Sequence, residues 1–199
     1  VYAFVSLDDP YVSLSVSNVA FGDISAAGST SSTSNIEFDI AHNIPNGYSA
    51  VFDVLFFSDE DQWEGNFNVS LHTPFITVSN PSFIDDSGDG VWDIGEEITV
   101  ILLLNNEGSA DHMDYPGVGL EESSPDAQIP DDGEYFWLDE VLAGESTPVE
   151  FSVTASEEAN MGTEVVFTAQ AFEMNCEENC IESEPITFIF TIGLPIDES

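Results

Sequence analysis

The chain has 199 residues with no Lys or Arg, 39 Asp and Glu and three His, a formal net charge of −39. That balance removes the side chains that neutralise phosphates in nucleic-acid binding and nucleotide chemistry, and it sets the chain against anionic membrane surfaces. With 42% hydrophobic and 12% aromatic residues it does not read as disordered, because there is apolar surface enough for one or two cores.

From the front, Val1, Tyr2, Ala3, Phe4, Val5, Ser6 and Leu7 alternate apolar and polar residues and predict a strand. The strand begins at once, so any signal peptide is expected to have been removed. Short runs follow at residues 11–14, 36–40, 48–57 and 67–71, separated by Gly, Pro, Asp and Asn clusters, the pattern of a β-sandwich. Asn68 opens an N-x-S/T sequon, a glycosylation site where the host glycosylates. A short junction containing Pro74 leads into a second strand run near residues 75–84.

Residues 85–96, Asp-Asp-Ser-Gly-Asp-Gly-Val-Trp-Asp-Ile-Gly-Glu, have the spacing of a twelve-residue calcium loop. Asp85, Ser87, Asp89, Asp93 and Glu96 stand at positions 1, 3, 5, 9 and 12. Val91 offers a backbone carbonyl at position 7, and Gly90 permits the turn at position 6. Ca2+ takes six to eight hard oxygen ligands, which such a loop can supply. The flanks are β-like rather than helical, so the loop joins two strands, and Trp92 within it is expected to fold over a sandwich end. A long apolar strand follows near residues 97–105, and further strands are predicted around residues 118–120, 149–153, 163–167 and 186–192. Cys176 and Cys180 are expected to close a local disulfide in the loop before the last strand.

The chain repeats itself. Residues 36–40 match 149–153, residues 46–52 match 161–167, residues 67–71 match 188–192, and the segment from Phe21 loosely matches that from Trp137. The second copy opens with two strands and the acidic loop, and the first has no counterpart of either. Domains are therefore expected at 1–74, incomplete, and 75–199, complete. An incomplete sandwich exposes apolar core and free strand edges, which another chain can cover by strand addition. Residues 1–7, with a free end, are the expected exchanged strand; the alternative is a smaller sandwich in which residues 1–7 pair at home. Head-to-tail exchange of that kind does not close and builds a filament of self-associated subunits.

The opening at residues 85–100 resembles the one that heads Ig-like β-sandwich repeats in large secreted bacterial surface proteins. Similar domains follow the catalytic domain of gingipain-type cysteine peptidases. The turn at residues 105–108 (Asn-Asn-Glu-Gly) and the segments at 8–14 and 21–24 fit the same pattern. The resemblance implies an all-β chain of two tandem Ig-like sandwiches, extracellular or on a bacterial cell surface. It implies a structural or adhesive role, and calcium held by the loop residues named above.

Catalysis finds no motif. His42, His72 and His112 are scattered without metal-ligand spacing, and no nucleophile elbow is present. The rival to a calcium-stiffened filament is a calcium-dependent carbohydrate-binding or adhesion module. Trp63, Trp92, Trp137, Tyr11, Tyr48 and Tyr135 are its candidate glycan platforms. No apolar stretch is long enough to insert in a membrane.

Overall fold

The computed structural model describes the chain apart from residues 42, 131, 175–179 and 194–199. It is all-β, and among the described residues there is no helix. The chain divides into two compact units, Val1–Thr73 and Pro74–Ser199, within one residue of the expected boundary.

The second unit is a β-sandwich of two antiparallel sheets. Its strands are β7 (Ile76–Asp85), β8 (Glu97–Asn106), β9 (Pro116–Glu122), β10 (Ala127–Gln128), β11 (Tyr135–Trp137), β12 (Ser146–Ala155), β13 (Glu164–Glu173) and β14 (Ile186–Thr191). One sheet runs β10-β12-β8-β7 and the other β11-β9-β13-β14. Alternation places the core. Ile98, Val100, Leu102 and Leu104 of β8 are buried, with Val149, Phe151 and Val153 of β12 beside them and Val165, Phe167 and Ala169 of β13 opposite. β7 breaks register between Ser79 and Ser82, where Asn80 takes a positive φ and Pro81 follows, a bulge that accommodates a proline.

Among the described residues the first unit has six strands: β1 (Tyr2–Ser6), β2 (Val12–Val16), β3 (Asn18–Ala20), β4 (Glu37–Ile40), β5 (Tyr48–Phe57) and β6 (Gln62–Leu71). One sheet runs β3-β1-β5-β6, and β2 pairs with β4 in a second sheet of two strands. Ala3, Val5, Val19, Ala50, Phe52 and Val54 form the core between them.

The two units match strand for strand. The order β3-β1-β5-β6 reproduces β11-β9-β13-β14, and β2-β4 reproduces β10-β12. The registers agree as well. Val5 pairs with Val54 as Leu120 pairs with Ala169, Phe52 with Phe67 as Phe167 with Phe188, and Val12 with Ile40 as Ala127 with Ala155. The turns repeat too. Gly47 N–H donates to Leu71 O at 3.0 Å as Gly162 N–H donates to Ile192 O at 2.8 Å. Ala41 N–H donates to Tyr11 O as Ser156 N–H donates to Asp126 O, both at 2.8 Å. The strands β7 and β8, with the loop joining them, have no equivalent among the described residues of the first unit.

One expectation needs correction, and in the single chain residues 1–7 follow the home-pairing alternative. Tyr2–Ser6 lies inside its own sheet, paired with β3 on one side and β5 on the other, and Ala3 and Val5 are 2% and 0% exposed. A free-ended alternating strand and an interior one share the same period-two pattern, so sequence does not separate them. The repeat alignment also shifts by two residues at β4. The backbone pairing equates residues 36–40 with 151–155 rather than 149–153, and Phe21 with Leu138 rather than Trp137. A shift of two keeps every side chain on its face, so hydrophobic pattern alone tolerates it.

Candidate functional site

The acidic loop leaves β7 at Asp85 and enters β8 at Glu97. Gly88, Gly90 and Gly95 all adopt positive φ, the left-handed conformation that lets three tight bends follow one another. Asp85 is 8% exposed, and its carboxylate organises the first half of the loop. Oδ2 accepts the Ser87 hydroxyl and the Asp89 N–H, both at 2.8 Å, and Oδ1 accepts the Gly90 N–H at 3.2 Å. Asp89 Oδ1 accepts the Val91 N–H at 2.9 Å. Glu96 closes the second half, its two oxygens accepting Ser87 N–H at 2.9 Å and Asp93 N–H at 2.8 Å. The Ser87 hydroxyl, helped by the Asp89 and Gly90 amides, holds the Asp85 carboxyl below its ordinary value, with burial working against them.

Trp92 ties this loop to the sandwich. It is fully buried, its ring lies 6.3 Å from that of Phe167, and its indole N–H donates to Glu96 O at 3.1 Å. Its backbone forms a parallel bridge with Ile192, and its carbonyl accepts Gly193 N–H at 2.7 Å. The expected fold of Trp92 over one end of the sandwich is therefore observed.

As a metal centre the loop fits in chemistry. Asp85, Ser87, Asp89, Asp93, Glu96 and the Val91 carbonyl are all hard oxygen donors, and six acids crowd residues 85–97 without a cationic side chain. The carboxylates of Asp85, Asp89 and Glu96 are turned onto backbone amides, which act as partial positive charges of the loop. Among the described residues, no three His, Cys, Asp or Glu side chains converge as a metal-holding group.

The aromatic candidates separate clearly. Trp92 is core. Tyr11 and Tyr48 pack edge to face at 5.2 Å, and the Tyr48 hydroxyl donates to Asp9 at 2.7 Å, so they are structural. Trp63 is half exposed on β6. Tyr135 and Trp137, two apart on the edge strand β11, lie nearly parallel with centroids 6.3 Å apart, and both meet Phe172 edge to face. Gly117 beneath Trp137 has no room for a side chain, since a Cβ there would stand 2.5 Å from the Trp137 ring.

His112 escaped the sequence reading as a buried group because its neighbours are polar. It is 2% exposed, bridged through its backbone to Val141, and its ring nitrogens have no hydrogen-bond partner, although Nε2 lies 3.4 Å from Glu173 Oε2. Burial lowers its pKa, against the pull of Glu173 and Asp114. His42 lies outside the described residues. Cys180 is disulfide-bonded, and Cys176, its expected partner, lies outside the described residues. Asn68 is exposed on β6. No known family model matches the chain, and no curated protein matches it.

Proposed function

We propose that this chain is a non-catalytic structural subunit of an extracellular fibre. In this reading both units are Ig-like sandwiches. Unit 1 receives strands from a neighbouring subunit, and Ca2+ held by Asp85, Ser87, Asp89, Val91, Asp93 and Glu96 stiffens unit 2. The observation that supports it is the free edge of β4. Its equivalent β12 is flanked on both sides, whereas β4 pairs with β2 alone among the described residues. Exposed apolar strand edges are uncommon unless something covers them. Exchange through residues 1–7 is not carried forward, because β1 is interior to its own sheet. Calcium would neutralise part of a −39 charge that opposes compaction. Immuno-electron microscopy of the producing cells tests the reading. Label spaced along fibres outside the cell is expected, and label confined to the cell interior would overturn it.

The Tyr135–Trp137 pair favours a second reading, a glycan-binding or adhesion module. Two near-parallel rings with Tyr135 52% exposed offer a stacking surface for a sugar ring. Titration with oligosaccharides, compared with Tyr135→Ala, separates this reading from the first.

A further inference from the structure

Resting on the glycan reading of the Tyr135–Trp137 pair, we infer that each unit carries its own aromatic platform for the sugar rings of an uncharged polysaccharide, on the outer face of its four-stranded sheet. The registers place the two platforms in equivalent positions. In unit 2, Gly117 of β9 pairs with Trp137 of β11 on one side and with Phe172 of β13 on the other. In unit 1, Tyr2 of β1 pairs with Ala20 of β3 and with Phe57 of β5. One row along, Gly119 lies between Tyr135 and Gln170, and Phe4 lies between Asn18 and Leu55. Three aromatic side chains therefore stand at the same place in both units, supplied by different strands.

Packing accounts for only one of the two. In unit 2 the rings fill the space over glycine, since a Cβ at Gly119 would stand 3.0 Å from the Phe172 ring and 3.3 Å from that of Tyr135. Aromatic cover of a glycine is a structural device of sheets. Unit 1 has no such gap, because β1 itself carries Tyr2 and Phe4 there. Yet Tyr2 is 61% and Phe4 40% exposed, beside 52% for Tyr135. Their neighbours Ala3 and Val5 point inward, as Val118 and Leu120 do, so the aromatic residues lie on the face away from the core. That face does not depend on β7 and β8, which extend the opposite sheet. Aromatic character is kept while the supplying strand changes, and a shared ligand gives both units the same reason to keep it.

The ligand class follows from charge. An aromatic ring is negative on its face, so it attracts the C–H groups on the flat side of a sugar ring. The row beyond each platform brings one exposed acid, Asp53 opposite Ser6 in unit 1 and Glu121 opposite Thr168 in unit 2. An ionised carboxylate only accepts hydrogen bonds, and sugar hydroxyls donate them. Uronate, sulfate and phosphate groups find no partner, because the chain has no Lys or Arg, and its charge of −39 repels them. The same charge opposes the pairing of these faces between two copies of the chain. A polysaccharide rich in hydroxyls and free of acid groups fits both platforms.

The test uses the full chain, isotopically labelled, with cellohexaose, maltohexaose, laminarihexaose and mannohexaose as neutral probes and hexagalacturonate as the acidic one. Amide shifts are followed by NMR. At least one neutral hexaose is expected to shift Tyr2, Phe4 and Phe57 together with Tyr135, Trp137 and Phe172, and hexagalacturonate to shift neither set. Tyr2→Ser should weaken binding at unit 1 about threefold to tenfold and leave the unit 2 shifts intact, and Tyr135→Ser should do the reverse. Shifts confined to unit 2 would overturn the paired platforms and leave the glycan reading standing. Hexagalacturonate binding as tightly as the neutral probes would overturn the ligand class and also leave that reading standing. No shift with any sugar would overturn both, as would a response of these residues to a decalysine peptide or to protein concentration alone.

Discussion

Trp92 packs against Phe167 with ring centroids 6.3 Å apart, and Phe52, which holds the place of Phe167 in unit 1, has no tryptophan ring against it among the described residues. The acidic loop thus carries more than a cluster of charges. It delivers the largest fully buried side chain of the molecule to the end of the sandwich. Replacing Trp92 with Ala should destabilise unit 2 by about 3–5 kcal/mol, the range for deleting a large buried aromatic side chain. Denaturant unfolding, read by the near-ultraviolet signal of the remaining tryptophans, measures this. Trp92→Phe should cost less, since it keeps the ring contact and loses the bond to Glu96 O.

Calcium should stabilise unit 2. Saturating the loop at about one hundred times its Kd adds about 2.7 kcal/mol if the unfolded chain does not bind. Calorimetry with and without chelator, at constant ionic strength, should show a higher Tm with Ca2+. Asp89→Asn should reduce the shift and Glu96→Gln should abolish most of it. An unchanged Tm would remove the metal from the account.

Acid should weaken unit 2 through His112. Its pKa in the fold is lowered from 6.5, so the folded state binds fewer protons than the unfolded chain below that value. The stabilising contribution of the neutral ring is therefore present above pH 6.5 and is lost as pH falls. Asp85 adds the same sign in unit 2 at lower pH, and Asp9 does so in unit 1. Their carboxyls are held below 3.8, Asp85 chiefly by the Ser87 hydroxyl. At Asp9 burial pushes upward, and the Tyr11 amide and Tyr48 hydroxyl outweigh it. Relief of the −39 self-repulsion acts in the opposite direction. The comparison with His112→Gln isolates the histidine: its urea midpoint should change less than that of the unaltered chain between pH 7 and pH 5.5.

Unit 1 should depend on β1 as a core strand. Val5 is fully buried and pairs with Val54. Val5→Asp should unfold unit 1, because a carboxylate has no partner there and its desolvation is not compensated. Loss of the unit 1 amide resonances, with those of β8, β12 and β13 retained, checks this. Intact unit 1 resonances would return residues 1–7 to the role of a dispensable arm.

Much of this was legible in the sequence. Alternation over residues 48–57 and 97–104 marked the strands, and the repeated Gly47 and Gly162 marked equivalent turns. The acidic loop could be placed between two strands because its flanks are β-branched. The partner of β1 was not legible, because periodicity reports which face is buried and not whose strand lies beside it. The two-residue shift at β4 was hidden for the same reason. Ligand spacing identified the oxygen atoms of the loop but not their partners, and the backbone amides that hold Asp85 and Glu96 have no sequence signature. The buried ring of His112, set among Asp111, Met113 and Asp114, carried no apolar pattern to announce it.

The central claim is that the described residues of unit 1 repeat the framework of unit 2 without counterparts of β7 and β8. Native-state amide exchange on the isolated chain measures it most directly, by comparing β4 with its equivalent β12. The account predicts that β12, bonded on both sides, is protected throughout residues 149–154. It predicts that β4 shows fast exchange at the amides facing its free edge, alternating with slow exchange at those bonded to β2. Uniform protection of Glu37, Phe38, Asp39 and Ile40, equal to that of β12, would contradict it.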